Sequence, residues 1–224
     1  MGIKMKNYIN NNINFKILGI KNLIMFLSSI MFFIFLKICI KPSISSVYFY
    51  TDILLPILFS IISIYLFKVD CTSNLNEIIL IYNKKKYNKI LFKRILEYIF
   101  LSMLIILLTT IVLYYNIDKT RLFMEMPKNF FILFLKTIPN TIFLISFLLF
   151  ILKITKNLIS TYTIFLVFLF QEIGARGTYT YPFNVFINFS SRSKFTDSLF
   201  IMNRFTLVVL SFLMIYYIVK KVNK

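Results

Sequence analysis

Apolar residues gather in six blocks along the chain, at 22–40, 47–67, 95–117, 130–152, 157–171 and 205–219. A membrane-crossing helix needs about 20 mostly apolar residues, with a range of about 17–25. The third block is the strongest, because 101–113 is almost wholly aliphatic. The fifth is short and needs flanking Tyr, Asn or Lys, or a locally thin bilayer, to complete a crossing. The pattern predicts an all-α integral membrane protein with six transmembrane helices, forming a single transmembrane domain over 1–224. The first block lacks a small-residue cleavage site and leads into a further span, so it reads as a span and not as a signal peptide.

The segments between the blocks are patterned as well. Residues 4–20 are asparagine-rich, with Ile9, Ile13, Ile17 and Ile20 on one helical face. That spacing suits a helix lying in the interface, and the run 10–12 suits a basic arm. In the connection 68–94, Asn74 followed by Glu77 resembles a capping box. Leu75, Ile78, Ile79 and Tyr82 then follow helical spacing. A short amphipathic helix is expected from Leu75, then a polar break at 83–86 (Asn83, Lys84, Lys85, Lys86). A second helical face, from Tyr87 through Ile90, Leu91 and Ile95, then runs into the third span. The connection 172–204 holds Gly174, Gly177 and Pro182, with a mostly apolar run at 181–189. That run is too short to span and too apolar for water. It fits either a re-entrant outer segment interrupted near Pro182, Phe183 and Asn184 or a loop packed on the bundle.

Charge turns this layout into an orientation. The net charge is +18 on a chain that is 59% hydrophobic and 15% charged, against about 25% charged in soluble domains. With both termini cytoplasmic, the inner side holds about twice as many cations as the outer side, as the positive-inside rule expects. The connection after the second span is the densest, with Lys68, Lys84, Lys85, Lys86, Lys89, Lys93 and Arg94. Such a segment is expected to rest on anionic lipid, at about 1 kcal/mol per cation. Cations that flank spans do not form a nucleic-acid face, so no nucleic-acid partner is expected. Asp52 lies near the outer end of the second span. Lys136 lies about two turns into the fourth, where it either snorkels outward or faces a polar path. Cys39 and Cys71 are expected on opposite sides of the membrane as lone thiols.

The same residues constrain chemistry. With no histidine, histidine-dependent proteolysis and most zinc sites are excluded. None of the four glycines sits in a phosphate loop or a dinucleotide fingerprint. Asp52, Glu97 and Glu172 are scattered in sequence and suggest no catalytic dyad, so no catalytic residue and no metal is assigned. The wealth of Ile, Lys, Asn, Phe and Tyr points to an AT-rich bacterial genome, and hence to a bacterial inner membrane.

Six spans, inner termini, a basic amphipathic segment after the second span and a broken outer segment before the sixth resemble the membrane subunit of ABC-2-type exporters. The residues that carry the resemblance are 74–94, with Glu77 at the family's acidic position and Lys84, Lys85 and Lys86 at its basic one. Pro182, Phe183 and Asn184 resemble an outer Pro-Phe loop of many members. The chain departs from the family in lacking a Gly-Thr pair before Glu77.

The resemblance implies a permease without its own ATPase. Leu75, Glu77, Ile78, Ile79, Tyr82 and Lys84–Lys86 would form the coupling segment that seats in an ATP-binding subunit. ATP and Mg would be held by that partner and no cofactor by this chain. The permease would pair as a homodimer or with a second permease. Peptide, bacteriocin or drug export is the cargo class by analogy. The rival readings are a membrane scaffold or accessory protein and the substrate-capture subunit of a vitamin uptake transporter.

Overall fold

The computed structural model describes residues 49–72, 75–117, 122–174, 185 and 198–220, with side chains at 49–68, 70–71, 88–111, 137–173, 185 and 200–220. These residues belong to one compact unit, Pro42–Lys224. Among them, every element is helical. A π-helical turn, Tyr50–Leu54, leads into α1, Leu55–Thr72; then come α2, Leu75–Ile117, α3, Leu122–Thr155, α4, Leu158–Gly174, and α5, Ser198–Lys220. Among the described residues, three stretches are long and apolar enough to cross a membrane: Tyr50–Lys68, Thr137–Thr155 and Phe200–Lys220. A shorter apolar helix spans Leu158–Ile173. The chain is a helical membrane protein. The first expected span and the N-terminal stretch lie outside the described residues.

α3 is the hub. It packs most heavily on α1 and α5, and also on α2 and α4. Its sequence explains the position, because it is apolar or small nearly all round, which suits a helix enclosed by others. Phe143, Leu144, Ile145, Leu148, Leu149 and Leu152 are buried. Thr137, Asn140, Thr141 and Ser146 are buried among them. Small polar residues let helices approach closely where no hydrophobic force acts between helix and lipid. Their hydroxyls are satisfied within their own helices: Thr141 donates to the Thr137 carbonyl at 3.0 Å and Ser146 to Ile142 at 2.7 Å. Thr109, Thr110 and Ser211 do the same on α2 and α5.

Aromatic rings close the contacts around α3. Phe147 meets Phe168 of α4 with centroids 4.7 Å apart, and Phe150 meets Tyr217 of α5 at 5.2 Å. α1 and α2 are joined by Tyr98, whose hydroxyl donates to the Phe59 carbonyl at 2.5 Å while its ring stands edge-on to Phe67. The outward faces carry the remaining apolar bulk. On α2, Phe92, Leu96, Phe100, Leu104 and Leu108 recur every fourth residue and are exposed. Ile159, Leu166, Val167 and Phe170 of α4 are exposed too, as lipid-facing residues should be.

Three expected boundaries are corrected. The polar break at 83–86 is absent, since α2 continues through it without interruption. Asn and Lys are tolerated in helix interiors, and no Gly or Pro interrupts the segment, so charge alone does not stop the helix. The last span begins earlier than 205, because α5 starts at Ser198 and takes in Arg204. The fifth helix runs past 171 to Gly174, taking in Glu172.

The tightest connection joins α3 to α4. Lys156 sits at φ 53°, in the left-handed region, and its N–H donates to the Leu152 carbonyl at 2.9 Å. This ends α3 in the manner of a C-terminal glycine, at the steric cost of a Cβ. Asn157 then caps α4, its side-chain oxygen accepting from the Ile159 N–H at 2.9 Å. Lys156→Gly should therefore stabilise the protein by about 0.5–1 kcal/mol. Asn157→Ala should cost about 1 kcal/mol. Thermal midpoints in one detergent should rank the glycine variant first, the parent second and the alanine variant last. Any other order contradicts this account of the turn.

Candidate functional site

Two polar layers interrupt the apolar bundle, one near each end of α1. The first is built around Arg204 of α5, which is 7% exposed. A guanidinium buried to this degree needs acceptors and a counter-charge. Its Nη1 donates to the side-chain oxygen of Asn140 on α3 and to the Val185 carbonyl at 3.2 Å. The face of Phe200 lies 4.8 Å from its carbon, one turn earlier on α5. Asp52, buried in the π-helical turn, acts on the guanidinium through space. Glu172, 1% exposed in the last turn of α4, accepts from the Val185 N–H at 3.0 Å. The guanidinium therefore joins α3, α5 and residue 185 by direct bonds. Glu172 brings in α4, and Asp52 brings in the start of α1.

The π-helical turn places Asp52 there for a local reason. The Leu55 N–H donates to the Tyr50 carbonyl, five residues back. Pro56 follows and has no N–H to donate, so the normal ladder is broken at this point. Such turns recur at functional sites in helices.

The second layer lies at the opposite end of α1. Asp70 receives a hydrogen bond from Arg94 Nη1 of α2 at 2.9 Å, within an ion pair that is mostly shielded from solvent. The Arg94 guanidinium also stands 5.5 Å from the Phe67 ring centroid. Lys153 of α3 is buried and lies within electrostatic range of Cys71. An exposed pair, Lys93 with Glu97 at 3.6 Å, follows on the surface of α2. Asp52 and Asp70 are 18 positions apart, about 27 Å along a helix. That spacing is close to the thickness of a hydrocarbon core, about 30 Å.

The expected site residues fare unequally. Asp52 is buried in the first polar layer. Lys136 is on α3, and its side chain is outside the described set. Leu75, Glu77, Ile78, Ile79, Tyr82 and Lys84–Lys86 lie on the N-terminal part of α2, with side chains likewise outside it. Pro182, Phe183 and Asn184 lie outside the described residues, next to the buried Val185. Sequence reading missed Arg204, Asn140 and Glu172 as a set. Two of them fell just beyond the drawn span ends, and Asn140 was one polar residue within a span. The signal available was a lone charge within one helical turn of an apolar block.

Among the described residues, no group of three or more His, Cys, Asp or Glu converges. The arrangement does not resemble a nucleophile with its base. It offers one guanidinium nitrogen that donates to a side-chain oxygen on α3 and to the main-chain oxygen of Val185. A scan against protein-family models, a search of curated proteins and a search of solved structures each return no match.

Cys71, beyond the end of the first described span, provides a chemical check on the second layer. It is a free, buried thiol. Burial pushes it up to about 12, against the opposing pull of Lys153. At pH 8 its thiolate fraction is then about one in ten thousand, so the nucleophilic form is scarce. With Cys39 replaced, a maleimide should leave folded protein essentially unlabelled at pH 8 and label it fully after denaturation. Fast labelling of the folded chain contradicts the packing described for this layer.

Proposed function

We propose that this chain is the membrane permease subunit of an ATP-driven ABC-type exporter. It would work with separate ATP-binding subunits and carry a peptide, bacteriocin or drug in efflux or self-immunity. The observation that supports this reading best is the continuity of α2. The helix holds 43 residues without interruption, about 64 Å, roughly twice the hydrocarbon thickness. The segment bearing Glu77 and Lys84–Lys86 is therefore part of the same helix as the apolar stretch 95–117, which this reading takes as a span. A push on that segment by a cytoplasmic motor would reach the span directly. Arg94 ties the helix to α1 through Asp70, which would pass the movement to a second helix.

In this reading both termini are cytoplasmic, the membrane is a bacterial inner membrane, and the first helix supplies the sixth crossing. Leu75, Ile78, Ile79 and Tyr82 form the apolar stripe that docks. The neighbouring lysines rest on anionic lipid. ATP and Mg stay on the partner, and the permease functions as a homodimer or with a homologous permease.

Glu77→Lys and Ile78→Asp should both reduce co-purification of an ATP-binding subunit encoded nearby. Membrane insertion, read by membrane-fraction yield and by monodisperse elution, should not change. If the subunit is recovered at parental levels with both variants, the coupling role is wrong. If no ATP-binding subunit associates with the parent chain, the exporter reading is wrong.

A further inference from the structure

Arg204 makes its hydrogen bonds through a single nitrogen. Nη1 donates both to Asn140 and to the Val185 carbonyl. The Phe200 ring covers one face of the guanidinium plane. The in-plane edge made by Nε and Nη2 is left over. Both atoms are buried, and neither has a hydrogen-bond partner among the described residues. The Nδ2 of Asn140 is a third buried donor in the same state. Arg204 is 7% exposed and Asn140 is fully buried, so neither side chain is open to bulk solvent. An orphaned buried donor is costly, and a charged one more so. Native proteins leave few such groups, and two on one guanidinium edge with a third on the residue bonded to it call for a reason. A ligand that brings acceptor oxygens supplies one.

We propose that the Nε–Nη2 edge of Arg204 is a binding site for a small monocarboxylate. The two N–H bonds of that edge lie side by side in one plane, which is the geometry that holds both oxygens of a carboxylate. Asn140, bonded to Nη1, fixes the guanidinium from α3 so that the edge keeps its direction. Charge narrows the ligand further. Asp52, in the π-helical turn, already acts on the guanidinium through space. A dianion would face that carboxylate in apolar surroundings, whereas a single negative charge meets less repulsion. Asp52 therefore sets the affinity, because its charge competes with the ligand's for the same guanidinium. The site draws on α3, α5 and the π-helical turn. It is independent of the exporter reading and needs neither an ATP-binding subunit nor a known cargo.

The test uses the full chain in detergent and saturation-transfer NMR on the methyl group of acetate, at constant ionic strength. Methyl phosphate and methylammonium serve as the dianionic and cationic probes. Acetate should receive saturation from the parental protein, and the other two much less. Arg204→Met should abolish the acetate signal. Arg204→Lys keeps the charge and has no paired edge, so it should weaken acetate binding by about tenfold or more, the range set by a hydrogen bond to a charged group. Asp52→Asn removes the competing charge and should tighten acetate binding by about tenfold. Monodisperse elution checks that each variant is folded. Absence of acetate binding to the parent overturns the proposal. Unchanged binding in folded Arg204→Lys and Arg204→Met does so too, as does methyl phosphate binding as tightly as acetate. If neither Arg204 variant folds, Asp52→Asn decides: tighter acetate binding supports the site, and unchanged or weaker binding overturns it.

Discussion

An arginine buried in an apolar bundle is the constraint on which the rest of this end of the structure depends. Removing a guanidinium from water costs several kcal/mol unless acceptors and a counter-charge replace the lost hydration. Arg204 obtains what compensation it has from four things, Asn140 on α3, the Val185 carbonyl, the Phe200 ring and the field of Asp52, while its Nε and Nη2 find no hydrogen-bond partner among the described residues. Each comes from a different place in the chain or a different turn of helix. Helix–helix packing by apolar side chains alone is permissive, since lipid tails are as apolar as leucine. The charged contacts are directional, and they select one arrangement among those that packing allows.

The second layer applies the same logic with less burial. Asp70 and Arg94 join α1 to α2 at the far end of α1, near buried Lys153 and Cys71. Between the two layers the interior is filled by Phe, Leu and Ile, with small hydroxyl residues that satisfy themselves along their own helices. A cluster of charged and polar groups therefore lies near each end of α1, with a mostly apolar interior between them.

Much of the fold was legible in the sequence, because long apolar blocks are the strongest signal a membrane protein gives. The helices around 50–68, 137–155 and 200–220 fall within or beside blocks read from hydropathy. The helix start at Leu75 was legible from Asn74, Glu77 and the apolar spacing behind them. What sequence reading got wrong were ends. A polar, basic run looked like a break at 83–86, yet lysine is a good helix former. Arg204 and Glu172 were assigned to a loop because a charge normally ends an apolar block. Hydropathy cannot see that a charged side chain finds polar partners far away in sequence, as Arg204 does in Asn140 and Glu172 in the Val185 N–H. The π-helical turn at Tyr50–Leu54 was equally invisible, although Pro56 marks the place where the ladder must change.

If the field of Asp52 offsets the burial of Arg204, the two residues act as one compensated unit at this end of the bundle. A double-mutant cycle on thermal unfolding in a single detergent tests it most directly, with Asp52→Asn, Arg204→Met and the two combined. Breaking a buried pair from one side typically costs about 3–5 kcal/mol, whereas replacing both partners removes the uncompensated charge. Each single variant should therefore unfold at a clearly lower temperature, and the double variant should recover a large part of the loss. Losses that simply add in the double variant would contradict the account.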